Sequence, residues 1–168
     1  KILKEKIFEN IWVQPAAGDA GGELGAALAF WHIDQKNPRH VNNHDDMSGS
    51  FLGPEYSQAD IEKELKRLGA NFKILSESEI INQTSKDLSS GNAIGWFQGR
   101  MEFGPRALGC RSILGDPRSP DMQKNLNLKV KYRESFRPFA PSILAEELNN
   151  WFDINSYSPY MLMVSKVK

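Results

Sequence analysis

The period of the hydrophobic positions changes several times along the chain, and each change marks an element. Ile11 to Gln14 is a short apolar run that reads as a strand and leads into PAAGDAGGELGAALAFWH, from Pro15 to His32. The first half of that segment is a glycine-rich turn. Leu24, Ala26, Ala27, Leu28 and Phe30 then supply the small and apolar residues of a buried helix. From Ile33 to Tyr56 the periodicity disappears while Asn, Asp, His, Pro and Gly accumulate, and residues 34–56 read as a linker. Order returns at Ser57. It stands three residues before Asp60, a capping-box spacing, and Ile61, Leu65 and Leu68 follow on one helical face that Gly69 ends. This predicts a helix from Gln58 to Leu68.

Further on, Phe72 to Leu75 reads as a strand, Glu77 to Leu88 as a helix stopped near Gly91, and Ala93 to Gln98 as a buried strand. Ser112 to Gly115 reads as another strand. Ser119 and Pro120 are a good N-cap and first-turn pair for a helix with Met122, Leu126 and Val130 on one side. Pro141 to Leu144 and Tyr160 to Val167 finish as strands. Alternating strands and helices predict an α/β fold. Trp12, Trp31, Trp96 and Trp151 sit beside apolar neighbours and read as core.

Composition narrows the function classes. A chain of 168 residues, 40% hydrophobic, can bury a core, and 21 basic against 21 acidic residues argue against a globally polyanion-binding protein. The single cysteine, Cys110, excludes a disulfide framework and a cysteine-rich zinc site, and suits a reducing cytoplasm. No apolar run approaches the roughly 18 to 20 residues that span a bilayer, so no membrane role is expected. The opening Lys-Ile-Leu-Lys, without an initiator Met or a signal pattern, reads as a cut from something longer.

Charge is nevertheless uneven. Gln98 to Arg137 holds six Arg and three Lys against two Asp and two Glu, interleaved with FGPRALG, RSIL and FRPFAP. Arginine in a turn fixed by glycine and proline presents a planar donor fork at a defined place, which suits a compact phosphate or carboxylate. The structural alternative is that these arginines pair with Glu102, Asp116 or Glu134 and hold loops together. Cys110 reads as a small buried filler, though a thiol exposed between Arg106 and Arg111 would have a lowered pKa.

A second candidate is the PAAGDAGG turn. There Gly18, Gly21 and Gly22 let backbone approach a ligand, and Asp19 either caps the helix or binds a cation or a nucleotide hydroxyl. His40 and His44 are a weak metal-ligand pair in the linker.

Two segments resemble one family. QPAAGDAGGELGAAL from Gln14, and GWFQGRMEFGPRALGCRSILGDPR from Gly95 with NLNLKVKYRESFRPFAPSILAEE from Asn125, look like the carboxyl-terminal portion of the nodulation and antibiotic O-carbamoyltransferases; SPYML from Ser158 also matches. The resemblance implies a YrdC-like domain, a twisted open mixed sheet with flanking helices, over residues 57–168. It also implies that residues 1–33 are a strand-turn-helix remnant of an actin-like ATPase domain.

The implied chemistry has two steps. The YrdC-like part makes carbamoyl adenylate from carbamoyl phosphate and ATP with Mg²⁺, and the actin-like domain of the same polypeptide transfers the carbamoyl group to a hydroxyl acceptor. By the same resemblance Arg106, Lys131 and Arg137 serve catalysis, and Arg111, Ser112 and Arg133 hold substrate and nucleotide. Lys131 and Arg133 carry a Lys-x-Arg spacing. Asp19 implies a ligand to iron in the actin-like domain. That domain precedes this stretch in the family and a Ser-x-Asn-like element follows it, so the isolated chain is expected to turn over little. A nucleic-acid-binding module and a non-catalytic docking scaffold are the competing readings, with nucleic acid disfavoured by the zero net charge.

Overall fold

The computed structural model describes residues 2–9 and 11–168. Its helices are α1 (Ile2–Glu5), α2 (Asp19–Ala29), α3 (Gln58–Arg67), α4 (Glu77–Ser89), α5 (Met122–Asn125) and α6 (Leu148–Trp151), and its strands are β1 (Ile94–Phe97) and β2 (Arg111–Leu114). This is a mixed α/β arrangement.

Local sequence accounts well for α3 and α4. The Ser57 hydroxyl accepts a hydrogen bond from the Asp60 N–H at 3.2 Å. Ser76 and Glu79 form a reciprocal capping box in which the Glu79 carboxylate accepts from the Ser76 N–H at 2.8 Å. Gly69 and Gly91 follow the two helices with φ of +64° and +83°, a left-handed geometry that glycine adopts without steric penalty.

β1 and β2 pair antiparallel, with Trp96 opposite Ser112 and Phe97 opposite Arg111. The ladder continues one step further through the Gln98 N–H to the Cys110 carbonyl at 3.0 Å. Among the described residues this is the whole sheet, which corrects the expectation of an open mixed one. Ile11 to Gln14, Phe72 to Leu75 and Pro141 to Leu144 are irregular, and Tyr160 to Val167 contributes one isolated bridge, Val167 to Phe152. Apolar alternation can nominate a strand, but a strand exists only where a neighbour supplies hydrogen bonds.

The predicted helix after Ser119 and Pro120 starts later. Asp121 precedes α5, which runs directly into a π-helical turn, Leu126–Val130. Met122 and Leu126 are buried as the pattern requires, whereas Val130, expected on the same side, is exposed; with Cys110 the two form the buried hydrophobic core among the described residues. Gly115 admits them closely: a Cβ there would lie 2.8 Å from Met122 Cγ.

The remaining apolar surface is open. The chain exposes 13733 Å², where a compact folded protein of 19.0 kDa would expose about 8,400 Å². Contrary to the core assignment, Trp12, Trp31 and Trp151 are 75%, 55% and 57% exposed, and α2 buries no residue. Their flanking sequence is apolar enough for a core, but no described element packs over them.

The second half of residues 34–56 is pinned rather than loose. Gly53 N–H donates to Met101 O, Met101 N–H to Pro54 O, and Phe103 N–H to Ser50 O at 2.6 Å, and Ser50 is almost wholly buried. This seam fixes the base of the FGPRALG loop.

Candidate functional site

The FGPRALG loop folds around a single carboxylate. Glu102 has a fully buried side chain, and its Oε1 accepts from the backbone N–H groups of Leu108 at 2.7 Å, Cys110 at 2.8 Å and Arg111 at 3.2 Å. Its Oε2 accepts from Arg111 Nε at 2.9 Å, while Arg111 Nη2 returns to the Glu102 carbonyl at 2.6 Å. Burial alone would push this carboxyl up. The Arg111 guanidinium and the loop N–H groups overcome that and hold it at about 2. Gly104 and Gly109, with φ of +96° and +113°, permit the turn on either side.

Arg106 sits at the crest of this loop, exposed. The other arginines between Gln98 and Arg137 are engaged: Arg100 with Glu55, Arg111 with Glu102, Arg118 with Asp116, Arg137 with Glu134, and Arg133 with Asn127. Pairing through Glu102, Asp116 and Glu134 is thus the arrangement at three of them. Among the described residues Arg106 has no hydrogen-bonded or ionic partner.

Beside it lies a small cleft formed by Pro15, Ala16, Ser50, Phe103, Arg106 and Tyr160, with further contacts from Pro105 and Leu108. Its room is about 10 Å³, enough for about one water. The two motif segments meet here: a Cβ on Gly104 would lie 2.5 Å from Ala16 Cβ, so only glycine lets the FGPRALG loop touch the PAAGDAGG turn. Tyr160, from the SPYML segment, closes one side. Its hydroxyl donates to Asp45 and accepts from Gly49 N–H at 3.0 Å. Burial, with the Asp45 bond, raises the Tyr160 phenol to about 12, and the same bond lowers Asp45.

In the turn itself Gly18 precedes α2, and Gly21 packs so close to Ala16 O that a Cβ would clash with it. Gly22 N–H donates to Gly18 O at 3.0 Å. Asp19 occupies the exposed first position of α2 and makes no capping bond. No group of three or more His, Cys, Asp or Glu among the described residues is placed to hold a metal ion, around Asp19 or around His40 and His44.

The second basic loop has its own hub. Asn127 is wholly buried, and its amide donates to Ser135 O at 3.1 Å and Arg137 O at 2.8 Å while its Oδ1 accepts from Arg133 Nε at 2.6 Å. The Arg133 guanidinium then lies 4.9 Å from the centre of the Phe139 ring, a cation–π contact. Arg137 Nε bonds Glu134 at 2.9 Å, and Lys131 ends the π turn, exposed. Ser112 Oγ accepts from Gly109 N–H at 3.1 Å and so braces the first loop. Neither Lys131 nor Arg137 lines the Arg106 cleft. Cys110 is buried, and burial together with the Glu102 charge raises its thiol against the opposing pull of Arg111.

Sequence reasoning missed Asn127, Ser50 and Tyr160 and treated Glu102 only as a structural partner. The available signal was that Glu102 is the one acid between Gln98 and Gly115, among three arginines and several turn-forming residues. Asn127 and Tyr160 lie inside segments that carry the family resemblance, but neither residue type says that Asn127 will be wholly buried or that Tyr160 will stand half-buried beside Arg106.

The family pattern described as carbamoyltransferase C-terminus matches residues 85–168, half of the chain. The chain belongs to the carbamoyltransferase family. Among its relatives, an uncharacterized protein of Synechocystis is 53% identical over all of this chain, which is 28% of that protein. The nodulation protein NolNO of Sinorhizobium fredii is 40% identical over all of this chain and 25% of its own length. The 3'-hydroxymethylcephem-O-carbamoyltransferase of Amycolatopsis lactamdurans is 33% identical over 96% of this chain and 28% of its own. The chain thus spans about a quarter of the length of the curated relatives it matches. Arg106, Lys131 and Arg137 fall inside the carbamoyltransferase C-terminus match, and Asp19 falls before it.

Proposed function

We propose that this chain is the part of an O-carbamoyltransferase that makes carbamoyl adenylate from carbamoyl phosphate and ATP, for O-carbamoylation of a hydroxyl acceptor. The supporting observation is a loop built at the expense of a buried carboxylate to display one unpartnered arginine, Arg106, where the FGPRALG, PAAGDAGG and SPYML segments meet. Residues 57–168 are read as the YrdC-like unit and 1–33 as the end of the actin-like one. The exposed apolar surface of Trp12, Leu28, Phe30, Trp31 and Ile33 is read as the face that the actin-like portion covers.

Water releases carbamate and phosphate from carbamoyl phosphate. A carbamate oxygen then attacks the α-phosphorus of ATP, and pyrophosphate leaves as its bond to that phosphorus breaks. The water proton of the first step passes to the departing phosphate, and the second step needs no general base, because the carbamate oxygen is already a nucleophile. Two anions must approach, so fixed cations supply the catalysis, and loss of one well-placed donor typically costs about 3 kcal/mol. Arg106 is free to serve at once. Arg137 must exchange Glu134 for phosphate, Lys131 is exposed at the end of its turn, and Arg111, Ser112 and Arg133 brace the two loops on the nucleotide side. Mg²⁺ accompanies the triphosphate as part of that substrate.

Asp19, with Gly18, Gly21 and Gly22 at its turn, offers iron one carboxylate. One exposed carboxylate is not a binding site, so these residues alone do not fit the ion and no step is assigned to it. No helix among the described residues is long and apolar enough to cross a membrane; a cytoplasmic setting is part of the proposal. Four of the six arginines between Gln98 and Arg137 are held in ion pairs, which disfavours tracking of a nucleic-acid backbone.

The test is pyrophosphate release by the intact protein given carbamoyl phosphate and ATP. Arg106→Ala should lower it by about 10²-fold with the fold retained. Unchanged release would overturn the assignment.

A further inference from the structure

We infer that Glu102 is a positioning residue, fixing the direction in which the FGPRALG loop presents Arg106 to an anionic ligand. The inference rests on the anion-binding reading of Arg106 and goes beyond it by naming what holds that arginine in place.

Three features lead there. First, the Glu102 carboxylate closes the loop on itself: Oε1 accepts from Leu108 N–H, six residues on, and from Cys110 and Arg111 N–H beyond it. No helix or strand spans residues 98–110, so this side chain supplies the hydrogen bonds that regular structure would supply elsewhere. Second, the loop is clamped at its other end. Phe103 N–H is bonded to Ser50 O, and Gly104 abuts Ala16, so the segment between Phe103 and Leu108 is held at both ends with Arg106 between them. Third, Arg111 neutralises Glu102 through its other oxygen, Oε2, and the carboxylate makes no bond to Arg106. A buried acid that pairs with one arginine and frames another keeps the second available for a ligand.

Glu102→Gln keeps the shape and one acceptor oxygen but removes the charge, so the loop should loosen without the side chain being lost. Carbamoyl phosphate affinity is measured by calorimetry on the intact protein, well below its unfolding transition. Arg106→Ala should weaken binding about tenfold, a typical share for one charge-assisted contact. Glu102→Gln should weaken it by a similar factor, and the double variant should be no weaker than either alone, because positioning has no value once Arg106 is gone. Met122→Ala, a core truncation away from the loop, controls for general destabilisation and should leave affinity within about twofold of the parent.

Multiplicative losses in the double variant, or an equal loss from Met122→Ala, would overturn the positioning role while leaving Arg106 as the ligand contact. No loss on Arg106→Ala would instead overturn the anion-binding reading itself. Should Glu102→Gln fail to fold, Glu102→Asp, which retains the charge on a stem one methylene shorter, takes its place in the same cycle, with the same results supporting or overturning each role.

Discussion

The two basic loops, FGPRALG and KYRESFRP, are each organised by one buried polar side chain, but the first hub is the carboxylate of Glu102 and the second the neutral amide of Asn127. Both gather backbone groups that no helix or strand satisfies, and both bond an arginine, Arg111 in one case and Arg133 in the other. The charged hub binds more strongly and is penalised more heavily if it loses its partner, since a buried charge left unpaired is far costlier than a buried amide. It also ties the first loop to pH, which the neutral hub cannot do. The loop that displays an unpartnered Arg106 is thus the more rigidly specified of the two.

Replacing the hubs should separate them. Glu102→Ala strands Arg111 and three backbone donors and should destabilise the protein by about 3 kcal/mol in urea unfolding. A loss below that of Asn127→Ala would break the comparison. Acid should reveal the same charge. Because the folded Glu102 carboxyl lies at about 2, below its usual 4.5, it adds stability that is fully present above pH 4.5 and lost as pH falls toward 2. Its full contribution is about 3 kcal/mol. Glu102→Gln should flatten that part of the stability profile, whereas Asn127→Ala should leave its slope intact.

Asn127→Ala itself removes three side-chain bonds and should cost about 2 kcal/mol. Limited proteolysis should then cut first between Lys131 and Arg137. Gly104→Ala combines a left-handed backbone with a clash on Ala16 and should cost about 1 to 2 kcal/mol, with the PAAGDAGG turn rather than the KYRESFRP loop becoming more accessible to hydrogen exchange. The smallest effect belongs to Asp116→Asn. Arg118 holds this carboxyl at about 2, but the Arg118 side chain is largely exposed and solvent screens the pair from that side. No change in the unfolding midpoint is expected, and a clear drop would show that surface pairs contribute as much as the buried hub.

Family membership was legible early because glycine, proline and arginine at fixed spacing leave a local signature that no single burial decision can erase. Capping was legible for the same reason: Ser57, Gly69 and Gly91 act on backbone groups within a few residues of themselves, whereas the Ser76–Glu79 capping box emerged only in the structure. The positions of β1 and β2 also followed from two apolar runs, although their antiparallel pairing is a finding of the structure. The remaining strands did not form, since whether Phe72 to Leu75 or Pro141 to Leu144 pairs depends on distant segments rather than on their own alternation. The tryptophans misled in the same way, because an apolar neighbourhood in sequence does not say which surface will cover it.

By itself the sequence determined the Ser57 cap of α3, the glycine stops after α3 and α4, the location of β1 and β2, the excess of positive charge between Gln98 and Arg137 and the family. All depend on interactions a few residues long or on composition. Only the tertiary structure decided which arginines are consumed by carboxylates, that Glu102 and Asn127 are the hubs, and that Ala16, Gly104 and Tyr160 converge beside Arg106. Those outcomes turn on burial and on contacts between segments as far apart as Asp45 and Tyr160. The energy of a polar group there depends on what surrounds it rather than on what precedes it in the chain.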